Sequence, residues 1–367
     1  MKALIAAGGR GSRLRPLTHT AAKQLIPVAN KPILYYGLED IAKAGIKNVG
    51  MIVGKETIDD IKRSVGDGKK WGLNIKYIYQ EEPLGLAHCI KIARNYLKDE
   101  PFIMYLGDNI LTTDLSKFIG EFKRSDANAL VLLAEVDNPE QFGVAQLDDN
   151  DNITRLVEKP KTPPTNFALV GVYLFDKNIF KAVNNIKPSF RNELEITDAI
   201  QWLIDNGYKI LPHKVSGWWK DTGKVEDVLE ANRFILSSLK ASKGKGLMID
   251  SYSKIKGKVI LQRNVRIENS VIRGPAIIGE KTKITNSYIG PYTSIYFGCE
   301  ILNSEIENSI IMENTKIIDL PSRLDNSIIG KEVEISKNIK KPNAINLILG
   351  DRSKIRMHKN PSKGRSI

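Results

Sequence analysis

From Val259 onward the chain carries a branched aliphatic residue at six-residue steps: Val259, Val265, Val271 and Ile277, then Ile289, Ile295 and Ile301. The residues between them are largely Gly, Asn, Ser, Glu and Lys. This pattern reads as a left-handed parallel β-helix. Each hexad supplies one short strand, three hexads make a coil, and the aliphatic side chain points into the prism. Seven hexads fix the fold of this part and are nearly silent on its chemistry. A linker of small residues and lysines, Ala241-Ser242-Lys243-Gly244-Lys245-Gly246, sets it apart from what precedes.

The first 240 residues have a different texture. Lys2–Ala6, Asn48–Val53, Ile75–Tyr79 and Phe102–Leu106 read as buried strands, while Ile33–Ala44, Thr57–Val65 and Leu86–Leu97 carry helical apolar spacing. Strand–helix alternation predicts an α/β unit with a mixed, mostly parallel sheet and helices on both faces. Ligands in such sheets bind beyond the carboxyl ends of the strands. The expected units are therefore 1–240, 241–350 and a basic tail, 351–367.

Composition narrows the classes. At 367 residues, 42% hydrophobic and 26% charged, the chain has the makings of an ordinary globular protein. No apolar run is long enough for a membrane span, and the N-terminal apolar stretch is too short for a secretory leader. Two cysteines, Cys89 and Cys299, make no disulfide framework and lack metal-ligand spacing, so a reducing cytoplasm is expected. The net charge is +13, and Lys331–Ile367 supplies +7 of it, with ten Lys or Arg against three Asp or Glu. A solvated C-terminus explains that charge. No aromatic residue follows Pro321, so a base-stacking platform is absent and no nucleic-acid partner is expected.

The first strand runs into Ala7-Gly8-Gly9-Arg10-Gly11-Ser12-Arg13-Leu14-Arg15. Gly8, Gly9 and Gly11 let backbone amides approach an anion, and three arginines lie among them, the makings of a polyphosphate cradle. By itself such a loop is also simply a tight turn. It matches neither the dinucleotide fingerprint nor the P-loop. Asp108 follows the apolar run Phe102–Leu106, where a metal carboxylate belongs in such a sheet, and Asp221 lies in Trp218-Trp219-Lys220-Asp221-Thr222-Gly223. Each aspartate also fits a cap or turn. Glu158-Lys159-Pro160 fits an exposed loop pair equally well, and Gly143 and Gly171 fit strand bulges.

These segments together resemble a known family. Gly8-Gly9-Arg10-Gly11-Ser12-Arg13-Leu14 and Lys23-Gln24-Leu25-Ile26-Pro27-Val28-Ala29-Asn30-Lys31-Pro32 are similar to the sugar nucleotidylyltransferases. The Lys23-Gln24 pair resembles the glucose-1-phosphate thymidylyltransferase branch. The likeness continues through Gln80–Ala87, Leu106–Asn109, Val157–Pro160, Glu193–Asp198 and Trp219–Gly223, in order over about the first 240 residues. The hexad region resembles the appended domain of the longer form. Ser12 stands where the family more often has Thr, and both carry a hydroxyl.

The resemblance implies a Rossmann-like nucleotidyltransferase domain and attack of a sugar-1-phosphate oxygen on the α-phosphorus of dTTP or UTP, releasing pyrophosphate. It implies Mg²⁺ held by Asp108 and Asp221. It gives catalytic roles to Arg13, Lys23, Lys159 and Asp108. Gly8, Gly9, Gly11 and Ser12 would hold the triphosphate, and Gln24 and Gln80, with Gly85 close to the ring, would read the base. Glu158, Gly143 and Gly171 would hold the sugar, and the enzyme would be a homo-oligomer. An alternative is a bifunctional enzyme whose β-helix also transfers an acyl group. Its usual histidine is missing, because His19, His88, His213 and His358 all fall outside Asp250–Gly350.

Overall fold

In this computed structural model residues 1–337 and 349–356 are described. Much of the expected tail, including His358, lies outside them. A nine-stranded sheet organises the first part. Four parallel strands form its core: β1 (Lys2–Ala6), β2 (Asn48–Gly54), β3 (Asn74–Gln80) and β4 (Phe102–Leu106), in the order β3-β2-β1-β4. Five more extend it: β5 (Ala129–Glu135), β6 (Gly143–Leu147), β7 (Ile153–Glu158), β8 (Phe167–Phe175) and β9 (Ile210–Lys214). The long β8 runs antiparallel to β4, β5 and β6. Leu4, Ile5, Ile103 and Met104 are fully buried, as strands covered on both faces require.

Helices α1 (Ile33–Lys43) and α2 (Ile58–Val65) follow the expected bounds closely. Asp59 and Asp60 open α2 and Lys62 and Arg63 close it, which suits the helix dipole. The expected helix Leu86–Leu97 is instead two pieces, α3 (Leu86–Ile92) and α4 (Arg94–Leu97), meeting at Ala93. Helices α5 (Ile196–Asp205) and α6 (Val225–Ser238) complete what the argument needs. Among the described residues no helix is long and apolar enough to cross a membrane.

The second part is a left-handed parallel β-helix with three stacked sheets. Its inward ladders are Leu261–Ile278–Ile295–Ile311, Ile267–Ile284–Ile301–Ile317 and Ile255–Ile272–Ile289–Ile306. Coil steps are 18 residues at the start and 17 through the middle, one short of three full hexads. The inward phase therefore drifts against a strict step of six. Val259 and Val265 occupy the small-residue position two before the inward aliphatic, Val271 lies beside the inward Ile272, and Ile277 faces outward. From Ile289 the two phases coincide.

A small residue precedes each inward aliphatic by two. Ser270, Ser287 and Ser304 each accept a hydrogen bond at Oγ from the next coil and donate Oγ–H to the carbonyl two residues back. Asn264, Asn269, Asn286, Asn303 and Asn308 are left-handed at the corners, a conformation asparagine tolerates. One outward column, Ile260–Ile277–Ser294–Ile310–Ile328, packs against α6 with Val228, Leu229 and Ile235.

Candidate active site

The loop after β1 is pressed against two other segments. A side chain at Gly8 would lie 3.2 Å from the Gly54 nitrogen and 3.4 Å from Gln80 Oε1. At Gly9 it would meet Lys23 Cε at 3.2 Å, and at Gly11, where φ is +62°, Lys23 Cβ at 2.8 Å. The glycines thus let the loop close over Lys23, Gln24 and Gln80. Gln24 is buried and its Oε1 has no hydrogen-bond partner. Gln80 donates Nε2–H to His88 Nδ1 at 3.0 Å, which leaves its Oε1 turned toward Gly8. Burial, with Lys91 nearby, lowers the His88 pKa and favours the neutral ring that this bond needs. Ser12 and Arg13 begin a short 3₁₀ turn and are exposed.

Asp108 stands one glycine beyond β4. Its Oδ2 is ion-paired with Lys23 Nζ and its Oδ1 accepts from Asn109 Nδ2 at 3.0 Å. Asp221 ends a short strand, Trp219–Asp221, that pairs with Asn109–Leu111, placing Asp221 opposite Asn109. Thr222 fixes the junction by donating both its N–H (3.0 Å) and its hydroxyl (2.6 Å) to the Asp108 carbonyl. Asn109 Oδ1 accepts from Trp219 Nε1 at 2.6 Å and from the Gly171 nitrogen at 3.3 Å. Arg13 lies over Gly223, where an added Cβ would be 2.6 Å from its Nη2 and 3.2 Å from Asp221 Oδ2.

Opposite charges are crowded together in this cluster. Burial works against the Lys23 ammonium, yet Asp108 and Asp221 outweigh it and hold its pKa above the ordinary value. Burial would likewise raise Asp108, and Lys23 keeps it low. Burial, then Asp108, pushes Asp221 up to about 6. Asp221 Oδ1 is buried without a partner. Among the described residues no third His, Cys, Asp or Glu joins these two. Two carboxylates and one orphaned oxygen fit a hard divalent cation that takes its remaining ligands from water and phosphate, as Mg²⁺ does.

On the other side of the sheet's edge Glu158 ends β7, and Lys159 follows with φ +43°. The Glu158 carboxylate is gripped by Arg191 Nη1 at 3.2 Å and Thr197 Oγ1 at 3.2 Å, with Lys159 Nζ at 3.7 Å. Arg191 also pairs with Glu193. A groove of about 590 Å³ opens beside Glu158, lined by Leu156, Ser189, Phe190, Glu195 and Asp198 among others. A side chain at Gly143 would collide with Thr197 at 2.6 Å, and one at Gly171 with Asn109 Oδ1 at 2.6 Å. The register of β8 is irregular between Leu169 and Tyr173, around Gly171. Gly85, at φ +98°, would meet the Leu194 nitrogen at 2.7 Å, so backbone packing alone requires glycine there.

The loop glycines, Arg13, Lys23, Gln24, Gln80, Asp108 and Asp221 thus form one connected cluster, and Gly143, Glu158 and Lys159 a second. Gly171 joins the first through Asn109. Sequence reading missed Arg191, Thr197, Asn109, Trp219 and His88. Thr197, Asn109 and Trp219 lie within segments that motif matching did single out, and Arg191 lies two residues before one of them.

Comparison with known proteins adds the following. The nucleotidyl transferase family model matches residues 2–238. Glucose-1-phosphate thymidylyltransferases of Streptomyces griseus and Streptomyces antibioticus are 47% and 49% identical over 96% and 97% of this chain, and 99% of each relative is covered. A solved Bacillus anthracis structure, assigned as a glucose-1-phosphate thymidylyltransferase and complexed with sucrose, aligns with TM-score 0.61 at 34% identity. It covers 66% of this chain and 98% of its own.

Proposed function

The chain belongs to the nucleotidyl transferase family, and on that premise we propose that it transfers a thymidylyl group from dTTP to glucose 1-phosphate, giving dTDP-glucose and pyrophosphate. The observation that carries this is the part-buried Lys23–Asp108 pair with Asp221 under a glycine-rich loop at the carboxyl ends of the parallel strands. Residues 1–240 are taken as the catalytic unit and 241–337 as the β-helix; 338–348, expected to belong to it, lie outside the described residues. Free, buried Cys89 and Cys299 suit a reducing cytoplasm. The enzyme is taken to be a homo-oligomer, which light scattering tests.

The sugar phosphate is already an anion, so its oxygen attacks the α-phosphorus without a general base, and the bond to pyrophosphate breaks. The protein's part is positioning and charge neutralisation. Arg13 and Lys23 face the triphosphate, with the Gly8, Gly9 and Gly11 amides and Ser12 around it. Lys159 takes the sugar phosphate and Glu158 the sugar hydroxyls, while Arg191 and Thr197 hold Glu158 in place. Asp108 and Asp221 would hold Mg²⁺, which when bound would supply charge stabilisation at the phosphates.

Gln24 Oε1 and Gln80 Oε1 are the free amide oxygens near the loop, and they suit the N3–H donor of thymine or uracil. Cytosine presents an unprotonated N3 there and an amine in place of the O4 carbonyl, so the donor–acceptor pattern is reversed, and each polar group left mismatched costs about 1–3 kcal/mol. Measuring kcat/KM for five triphosphates with glucose 1-phosphate tests this. The expected order is dTTP, then UTP, with CTP at least about 100-fold behind and ATP and GTP further still. CTP or ATP equal to dTTP would remove the base-reading role, and UTP ahead of dTTP would remove the thymidylyl assignment alone.

A further inference from the structure

We propose that Asn232 is a positioning residue for the triphosphate, through which the β-helix holds the segment bearing Lys23 and Gln24. The proposal rests on the reading of those two residues given above.

That segment ends in a two-residue turn, Ala29–Asn30, between the paired dipeptides Pro27–Val28 and Lys31–Pro32. Both turn residues are left-handed, at φ 48° and 57°. A turn of this kind favours Asn-Gly or Asp-Gly, and alanine is a poor occupant of its first position. A disfavoured backbone persists when its surroundings over-determine it.

The surroundings come from the other half of the molecule. Asn232, on α6, is fully buried. Its Oδ1 accepts from the Ala29 nitrogen at 2.8 Å and from Ser294 Oγ at 2.6 Å, and its Nδ2 donates to the Tyr292 carbonyl at 3.0 Å. Two donors at one end and an acceptor at the other fix the orientation of the amide. Asn30 Nδ2 donates to the Ile295 carbonyl at 2.6 Å. Ser294 is the one polar rung in the outward column Ile260–Ile277–Ser294–Ile310–Ile328, and it sits against Asn232. A column meant only to stick two units together needs no hydroxyl there. The same α6 starts four residues after Asp221, so one helix ties the cation carboxylate, the turn and the β-helix together.

The test is a split between the two substrates. Asn232→Ala should raise the KM for dTTP roughly 10-fold and leave that for glucose 1-phosphate within about 2-fold. Ser294→Ala, a change inside the β-helix, should do the same at about 3-fold. Ala29→Gly relieves the backbone, and added to Asn232→Ala it should recover most of the dTTP KM. Circular dichroism confirms folding at the assay temperature. If Asn232→Ala does not fold, Ser294→Ala and Asn30→Ala carry the same readout. A parallel rise in both KM values, or no rise in either, overturns the proposal. Gln24→Ala separates the two readings. If it leaves the dTTP KM unchanged, the base-reading assignment falls and this proposal with it. If it raises that KM while Asn232→Ala does not, only the coupling falls.

Discussion

The two halves of the molecule treat buried polar groups in opposite ways. In the β-helix each inward hydroxyl is satisfied at once: Ser270, Ser287 and Ser304 bond carbonyls two residues back and amides one coil on. In the sheet half, Lys23, Asp108 and Asp221 are packed together half-buried with a carboxylate oxygen left over, and Gln24 keeps an unpaired acceptor. Unmet hydrogen-bonding capacity at a strand end is what a ligand can use, whereas a self-satisfied ladder has nothing left to offer one. The contrast is the one that the proposed function requires between a reacting half and a holding half.

The largest expected effect probes the reactive half. Asp108→Asn and Asp221→Asn should each reduce turnover by roughly 100-fold or more through lost cation positioning. Asp221→Asn should keep or raise the melting temperature, since burial disfavours that carboxylate, whereas Asp108→Asn should lower it, since Lys23 loses its ion-pair partner. A variant that keeps parental kcat at low Mg²⁺ contradicts its ligand role. The converse belongs to the ladder. Ile284→Ala should destabilise by about 2–5 kcal/mol, with kcat unchanged well below the melt. A matching loss of kcat there would blur the contrast.

Within the sheet half, Lys159→Ala should raise the KM for glucose 1-phosphate about 10-fold and that for dTTP far less, by steady-state titration of each. Equal effects would make Lys159 a general field charge. The smallest effect concerns Asp40 on α1, whose carboxyl burial pushes up to about 7 from 3.8 and whose Oδ2 is unpaired. The folded state keeps the proton longer than the unfolded one, so stability is full below about pH 4 and falls as pH rises through 7. Asp40→Asn should therefore gain on the parent at pH 8 and lose that advantage by pH 4, as urea melts will show. A gap independent of pH would mean that Asp40 is not held protonated.

Much of this was legible in the residues. Lys2–Ala6 and Phe102–Leu106 were placed to the residue, because continuous apolar runs mark strands covered on both faces. The strand-end position of Asp108 followed from that placement. The hexad period announced the β-helix but misassigned Val271 and Ile277, since a 17-residue coil drifts one position per turn against a six-residue count. Arg191 and Asn232 were missed for another reason. Each acts on partners distant in sequence: Glu158 is 33 residues from Arg191, and Ala29 is 203 from Asn232. No local pattern encodes such pairs.

Coil length varies in this half without loss of register. Steps of 17, 16 and 18 residues join Ile278 to Ile295, Ile295 to Ile311 and Ile317 to Ile335, so the corners take up single-residue differences while the inward ladders stay aligned. A coil lost ahead of Ser294 would carry that hydroxyl away from Asn232. Length variation in chains built this way should collect at the corners and beyond Ile328, which still packs with α6, where the stack can grow without disturbing the helix that it leans on.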